Sequence, residues 1–248
     1  MDVRPRLDPE ARFGLRFTMI VVALVLLVAP FGFLLAEVLA KGPITRFDQR
    51  VANHANSYAL RTPGAVTAAK VASALGSTRV LFALVGLVAV YFLLRRRQPR
   101  PAIFLVATAI AGSVLNRVLK VTVGRSRPHF AHAVSTEFGK SFPSGHAMNS
   151  AVVYGAIVML VWLRFRDRRV RICTVVAGAT LVCAVAASRV VLGVHYVSDV
   201  VAGVVLGTAF VLASGAAFRF WRTANEGKPL ESGPLPVERT ASAVTEDA

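Results

Sequence analysis

Five histidines occur in this chain of 248 residues, and two of them, His146 and His195, stand in short polar clusters between long apolar runs. The stretch Ser188 to Asp199 holds Arg189, His195 and Asp199 within twelve residues. His195 and Asp199 are four apart, so on a helical turn they share a face and the carboxylate reaches a ring nitrogen. A carboxylate there fixes the imidazole tautomer and makes the other nitrogen a better nucleophile or base. Taken alone, the pair equally describes a helix start with an acidic first turn and a tolerated histidine. Two upstream clusters add to it: Lys120 with Arg127-Pro128, and Pro143-Ser144-Gly145-His146. Arg127 and Arg189 suit an oxyanion through forked hydrogen bonds, and Lys120 suits it as a point charge. Ser144 has the chemistry of an N-cap, and the free N–H groups of the turn it opens, from Gly145 onward, can hold anion oxygens.

The elements that must position these residues are membrane spans. The chain is 55% hydrophobic and 17% charged, with several apolar runs of the length that crosses a bilayer core. Most runs are apolar all round, unlike the striped helices of a soluble bundle. The expected fold is all-α, a polytopic bundle of six transmembrane helices within residues 17–221. A polar N-terminal segment, 1–16, precedes it, and a disordered tail, 222–248, follows. The spans read as Phe17–Ala40, a second ending at Leu94, Pro101–Leu119, Ser144–Leu163, Ile172–Ala187 and Ser198–Trp221. Val80 to Leu94 would cover only about 22 Å, so the second span is expected to begin within Val71–Thr78, leaving Arg79 to snorkel or face the bundle. Residues 41–65 are amphipathic and read as an interfacial helix from about Phe47 to Leu60. Val38-Leu39-Ala40 resembles a signal cleavage site, but the apolar core before it is longer than such signals carry. Gly203-x3-Gly207 is a helix-packing signal for use within the bundle.

The net charge of +16 would suggest nucleic acid in a soluble protein. Here the basic residues cluster between apolar runs without an aromatic-rich basic surface, so no nucleic-acid partner is expected. The loops 95–100 and 164–171 are short and dense in arginine, which assigns them and both termini to the cytoplasm. Lys120, Arg127 and Arg189 then lie toward the other face and need a reason other than topology. Headgroup anchoring accounts for Arg117 and Arg125. Cys173 and Cys183 are ten apart in one span, about 15 Å along its axis, and cannot bridge each other.

The motifs K-x6-R-P, P-S-G-H and S-R-x5-H-x3-D, in this order between six spans, resemble the type 2 phosphatidic acid phosphatase (PAP2) superfamily. That superfamily also includes bacterial polyprenyl diphosphate phosphatases and vanadium haloperoxidases. The match rests on Lys120, Arg127, Pro128, Pro143, Ser144, Gly145, His146, Ser188, Arg189, His195 and Asp199, and extends over residues 41–221. It implies a membrane phosphatase acting on lipid phosphates or diphosphates at the outer face of a plasma membrane. The implied substrates are phosphatidic acid, phosphatidylglycerophosphate or an isoprenoid diphosphate such as undecaprenyl diphosphate. In this reading His195 attacks phosphorus and becomes a phosphohistidine, Asp199 orients it, and His146 serves first as general acid and then as base. Lys120, Arg127, Ser144, Gly145 and Arg189 hold the phosphate oxygens.

No cofactor is expected. A two-metal phosphatase needs clustered carboxylates, and only Asp199 and Glu137 stand near the motifs. His129 and His132 lack the partners of a ligand set. Two rival functions share these residues: a vanadate-dependent haloperoxidase, and a non-catalytic lipid-phosphate binder or transporter. Six apolar spans weigh against the first, and the complete set of His146, His195 and Asp199 against the second. Oligomeric state has no signature in the sequence.

Overall fold

The helices begin and end where proline, glycine and capping residues dictate. In the computed structural model, which describes Val25 and residues 28–226 with side chains through Phe218, all regular structure is helical. Helix α1 covers Val28–Leu39 and meets α2, Pro43–Arg61, at an angle of 85°. Pro43 opens α2 and Pro63 opens α3 (Pro63–Leu75), each in the first turn, where its missing N–H and fixed φ cost nothing. Helix α4 (Thr78–Val90) starts on Ser77, whose side chain accepts from the Val80 N–H, and ends in a π turn over Tyr91–Arg95. Helix α5 (Pro99–Val123) stops at Gly124, whose φ of +67° suits glycine. Helices α6 (Gly145–Arg164), α7 (Arg168–Val191) and α8 (Val197–Glu226) complete the described residues.

Among the described residues, five stretches are long and apolar enough to cross a membrane: Thr78–Arg95, Pro99–Val123, Gly145–Arg164, Arg168–Val191 and Val197–Phe218. The bent pair α1 and α2 makes a sixth if it counts as one. The N-terminal segment, the opening part of the first apolar run (residues 17–24, 26 and 27) and the tail beyond Glu226 lie outside the described residues. Several boundaries differ from expectation. The second span begins only at Thr78, the last residue of the stretch expected to open it: Gly76 and Ser77 break the chain, Val71–Leu75 belongs to α3, and the π turn extends the span to Arg95. Helix α7 continues through Arg189 to Val191, so that arginine is helical and not in a loop. Helix α8 runs to Glu226, four residues past Arg222.

Helix α6 is the most buried span and packs against α4, α5, α7 and α8. Its tightest contact is with α8. A Cβ on Gly203 would stand 2.8 Å from the Ser144 carbonyl oxygen, and one on Gly207 would stand 2.7 Å from that of Met148. The two glycines therefore let the α8 backbone lie directly on the start of α6. Helix α2 lies against α7 and α8, with Asp48, Ala52, Asn56 and Ala59 on its buried face. Its role is thus more than interfacial. Because α5 and α7 end where α6 and α8 begin, all three motifs meet at one end of the bundle, opposite the arginine loops 95–100 and 164–171.

Candidate active site

Asp199 stands in the first turn of α8, and its neighbours fix it from every side. Oδ2 accepts from the Tyr196 N–H at 3.0 Å, the reach-back of a capping carboxylate, and faces His195 Nδ1 at 3.4 Å. Oδ1 accepts from Arg125 Nη1 at 2.6 Å. On the other side of His195, Nε2 lies 3.1 Å from Arg127 Nη1. An arginine can only donate, so these partners assign the proton to Nδ1 and the lone pair to Nε2. His195 is 1% exposed. Burial lowers its pKa to about 4, against the opposing pull of the Asp199 hydrogen bond and charge, while Arg127 and Lys120 lower it further. At neutral pH it is an uncharged imidazole with a directed lone pair, the form a nucleophile requires.

The cations converge on the same region. Arg127, from the loop after α5, donates to the carbonyls of Val194 and Gly139 and lies 3.2 Å from Glu137 Oε2. Arg189, from the last turn of α7, donates to the Ser73 hydroxyl and to Glu137 Oε1. One carboxylate therefore spans two guanidinium groups beside His195 Nε2. Burial works to raise the Glu137 pKa, but the charge and hydrogen bond of Arg189, with the charge of Arg127, hold it below the usual range. Burial in turn depresses Arg127, partly offset by Glu137. Lys120 donates to the Lys140 carbonyl at 2.8 Å, and its side chain passes close to Gly145. His146 lines a cleft together with Arg189 and Glu137.

Ser144 does not make the side-chain cap expected of it. Its N–H donates to the Asp199 carbonyl at 2.9 Å, and its hydroxyl oxygen is buried without a partner. Arg189 Nε is likewise buried and unpaired. Orphaned polar atoms are costly in a dry interior, and these two lie in the motifs where a bound oxyanion would satisfy them.

Besides Glu137, two residues that the motifs do not specify, Arg125 and Asp48, complete the site. Arg125, assigned above to headgroup anchoring, is instead 11% exposed and bridges Asp199 to Asp48, with Nη2 2.8 Å from Asp48 Oδ2. Its guanidinium also lies 4.3 Å from the centre of the Tyr196 ring. Asp48, fully buried on α2, accepts from the Ser198 N–H at 3.0 Å and from the Ser198 hydroxyl. Arg125 occupies an unspecified position of the first motif, two before Arg127, and that nearness is the one signal that could have marked it. Asp48 had no such signal beyond being an acidic residue on an amphipathic helix.

Fold and site together define a multi-pass helical membrane protein with a histidine–aspartate pair beside a cluster of cationic side chains. The chain belongs to the PAP2 superfamily, whose family model matches residues 100–223, half of its length. It is 44% identical over 105 residues to phosphatidylglycerophosphatase B of Bacillus subtilis (strain 168), which covers 41% of this chain and 51% of that protein. A lipid A 1-phosphatase of Rhizobium etli is 30% identical over 146 residues, covering 54% of this chain and 59% of the relative. The chain thus spans between half and three-fifths of the length of these relatives. Among solved structures, a transmembrane PAP2 type phosphatidylglycerolphosphate phosphatase from Bacillus subtilis superposes with a TM-score of 0.71 at 25% identity. It covers 79% of this chain and 96% of its own.

Proposed function

We propose that the protein is a membrane phosphatase that hydrolyses lipid phosphates or diphosphates through a phosphohistidine on His195. One observation carries this reading: Arg127 and Arg189, from different elements, grip a single anionic group beside the unprotonated Nε2 of His195. The Glu137 carboxylate stands in for two oxygens of a phosphoryl group, which displaces it on binding. Nε2 then attacks phosphorus in line, the N–P bond forms and the bond to the leaving oxygen breaks, and His146 donates the proton that oxygen takes up. In the second step water attacks the same phosphorus, His146 receives its proton, and the N–P bond breaks to release inorganic phosphate. Lys120, Arg127, Arg189, the Ser144 hydroxyl and the N–H groups at the start of α6 stabilise the equatorial oxygens in both steps. Asp199, held by Arg125 and through it by Asp48, keeps Nδ1–H directed and Nε2 aimed.

The site end of the bundle faces away from the cytoplasm, because the opposite end carries the arginine loops. The protein in detergent with EDTA is expected to release phosphate from isoprenoid diphosphate, phosphatidic acid or phosphatidylglycerophosphate. Release from none of them, or only after a metal is added back, overturns the proposal.

A further inference from the structure

A cleft of about 500 Å³ opens from the anion site between α3, α4 and the loop after α5. That is within the range of small-molecule sites and more room than a lone phosphoryl group needs. His146, Arg189 and Glu137 line it, and so do Lys70 and Arg79. Ser73, which accepts from Arg189, marks where the cleft joins the anion site. Lys70 lies on the same face of α3 one turn earlier, and Arg79 is in the first turn of α4, just past Ser77. The cleft's carboxylate, Glu137, is engaged by Arg127 and Arg189. Lys70 and Arg79 form no ion pair among the described residues.

In-line displacement fixes which part of a substrate this cleft receives. Nucleophile and leaving group occupy opposite sides of the phosphorus, and the leaving oxygen lies on the side of the acid that protonates it. His146 lines the cleft and His195 does not. The cleft therefore holds the leaving group next to the bond that breaks. Two cations without counter-charge at that position match an anionic leaving group and gain nothing from a neutral alcohol.

We propose that Lys70 and Arg79 form a second anion subsite that selects lipids whose leaving group itself carries a phosphate: a lipid diphosphate, or a phosphomonoester borne on a phosphodiester headgroup. This rests on the phosphatase reading above. With a diphosphate, His195 Nε2 bonds to the terminal phosphorus, the bond to the bridging oxygen breaks, and the lipid monophosphate leaves between Lys70 and Arg79 with the proton from His146.

The test compares isoprenoid diphosphate with the monophosphate of the same chain, in mixed micelles, by initial phosphate release. The wild type is expected to show the higher kcat/KM on the diphosphate. In the Lys70→Met/Arg79→Met double variant the ratio of the two kcat/KM values falls about tenfold or more, the effect of losing partly exposed charge contacts at two positions. The Lys70→Arg/Arg79→Lys variant, which keeps both charges, retains the wild-type preference. A wild type that favours the monophosphate overturns the proposal. So does a double variant that loses both activities equally, as mere headgroup anchoring would produce, or one whose ratio is unchanged. Absence of phosphate release from both lipids by the wild type overturns the phosphatase reading itself, and is thereby distinct.

Discussion

Replacing Asp48 by asparagine tests whether a buried residue on α2 governs chemistry it does not touch. Asp48 and Asp199 are both fully buried and share Arg125, whose two nitrogens lie 2.8 and 2.6 Å from them. Asp48→Asn keeps an acceptor for the Ser198 N–H but removes the charge that faces Arg125. A hydrogen bond to a charged group contributes about 1.5–3 kcal/mol, so if that loss is felt in the transition state kcat falls roughly 10- to 150-fold. Arg125→Ala leaves two carboxylates uncompensated, at a cost of about 3–5 kcal/mol in stability, and serves as the severe comparison. Phosphate release measured over substrate concentration should show the loss in kcat with KM nearly constant, because neither residue meets the substrate. The Asp199 hydrogen bond raises the His195 pKa, so loosening it moves the acid limb of kcat/KM to lower pH. A folded Asp48→Asn protein with wild-type kcat, or with a raised KM alone, would refute the reasoning.

Two further outcomes follow from the same contacts. Glu137→Gln removes the anion that competes for Arg127 and Arg189, so inorganic phosphate should inhibit at lower concentration and KM should fall; weaker inhibition would show that the carboxylate helps build the site. His195 in the folded protein titrates near 4 against an ordinary value of 6.5, so the folded state binds fewer protons between them. Stability from this group is complete above about 6.5 and lost as pH falls toward 4, by roughly 3 kcal/mol. Thermal melts in detergent should show that dependence flattened in His195→Gln, and an unchanged slope would contradict a buried neutral imidazole.

The residues of the three motifs were legible because each lies at a span end, where polar side chains among apolar runs need a reason. The pairing of His195 with Asp199 was expected from their four-residue spacing, and the contact is present. His195 lies in the bend before α8, however, and reaches the carboxylate from outside the helix, not across a helical turn. The packing of Gly203 and Gly207 followed from their spacing in the same way. What the sequence did not disclose are contacts between distant segments. Arg125 reads as an anchoring cation until Asp48, 77 residues earlier, is brought to it by α2 lying across α7 and α8. Glu137 sits in an irregular loop whose course no periodicity describes. The missing cap of Ser144 has a related cause: its hydroxyl is buried where α8 presses onto the start of α6, and the Asp199 carbonyl takes its N–H.

The central claim is a phosphoryl group on His195. Enzyme quenched in alkali within the first turnover of a lipid labelled in its terminal phosphate should carry alkali-stable, acid-labile label. Peptide mapping should place it on His195, and His195→Ala should carry none. Label on Ser144, or full turnover with no labelled protein at any time, would contradict the account.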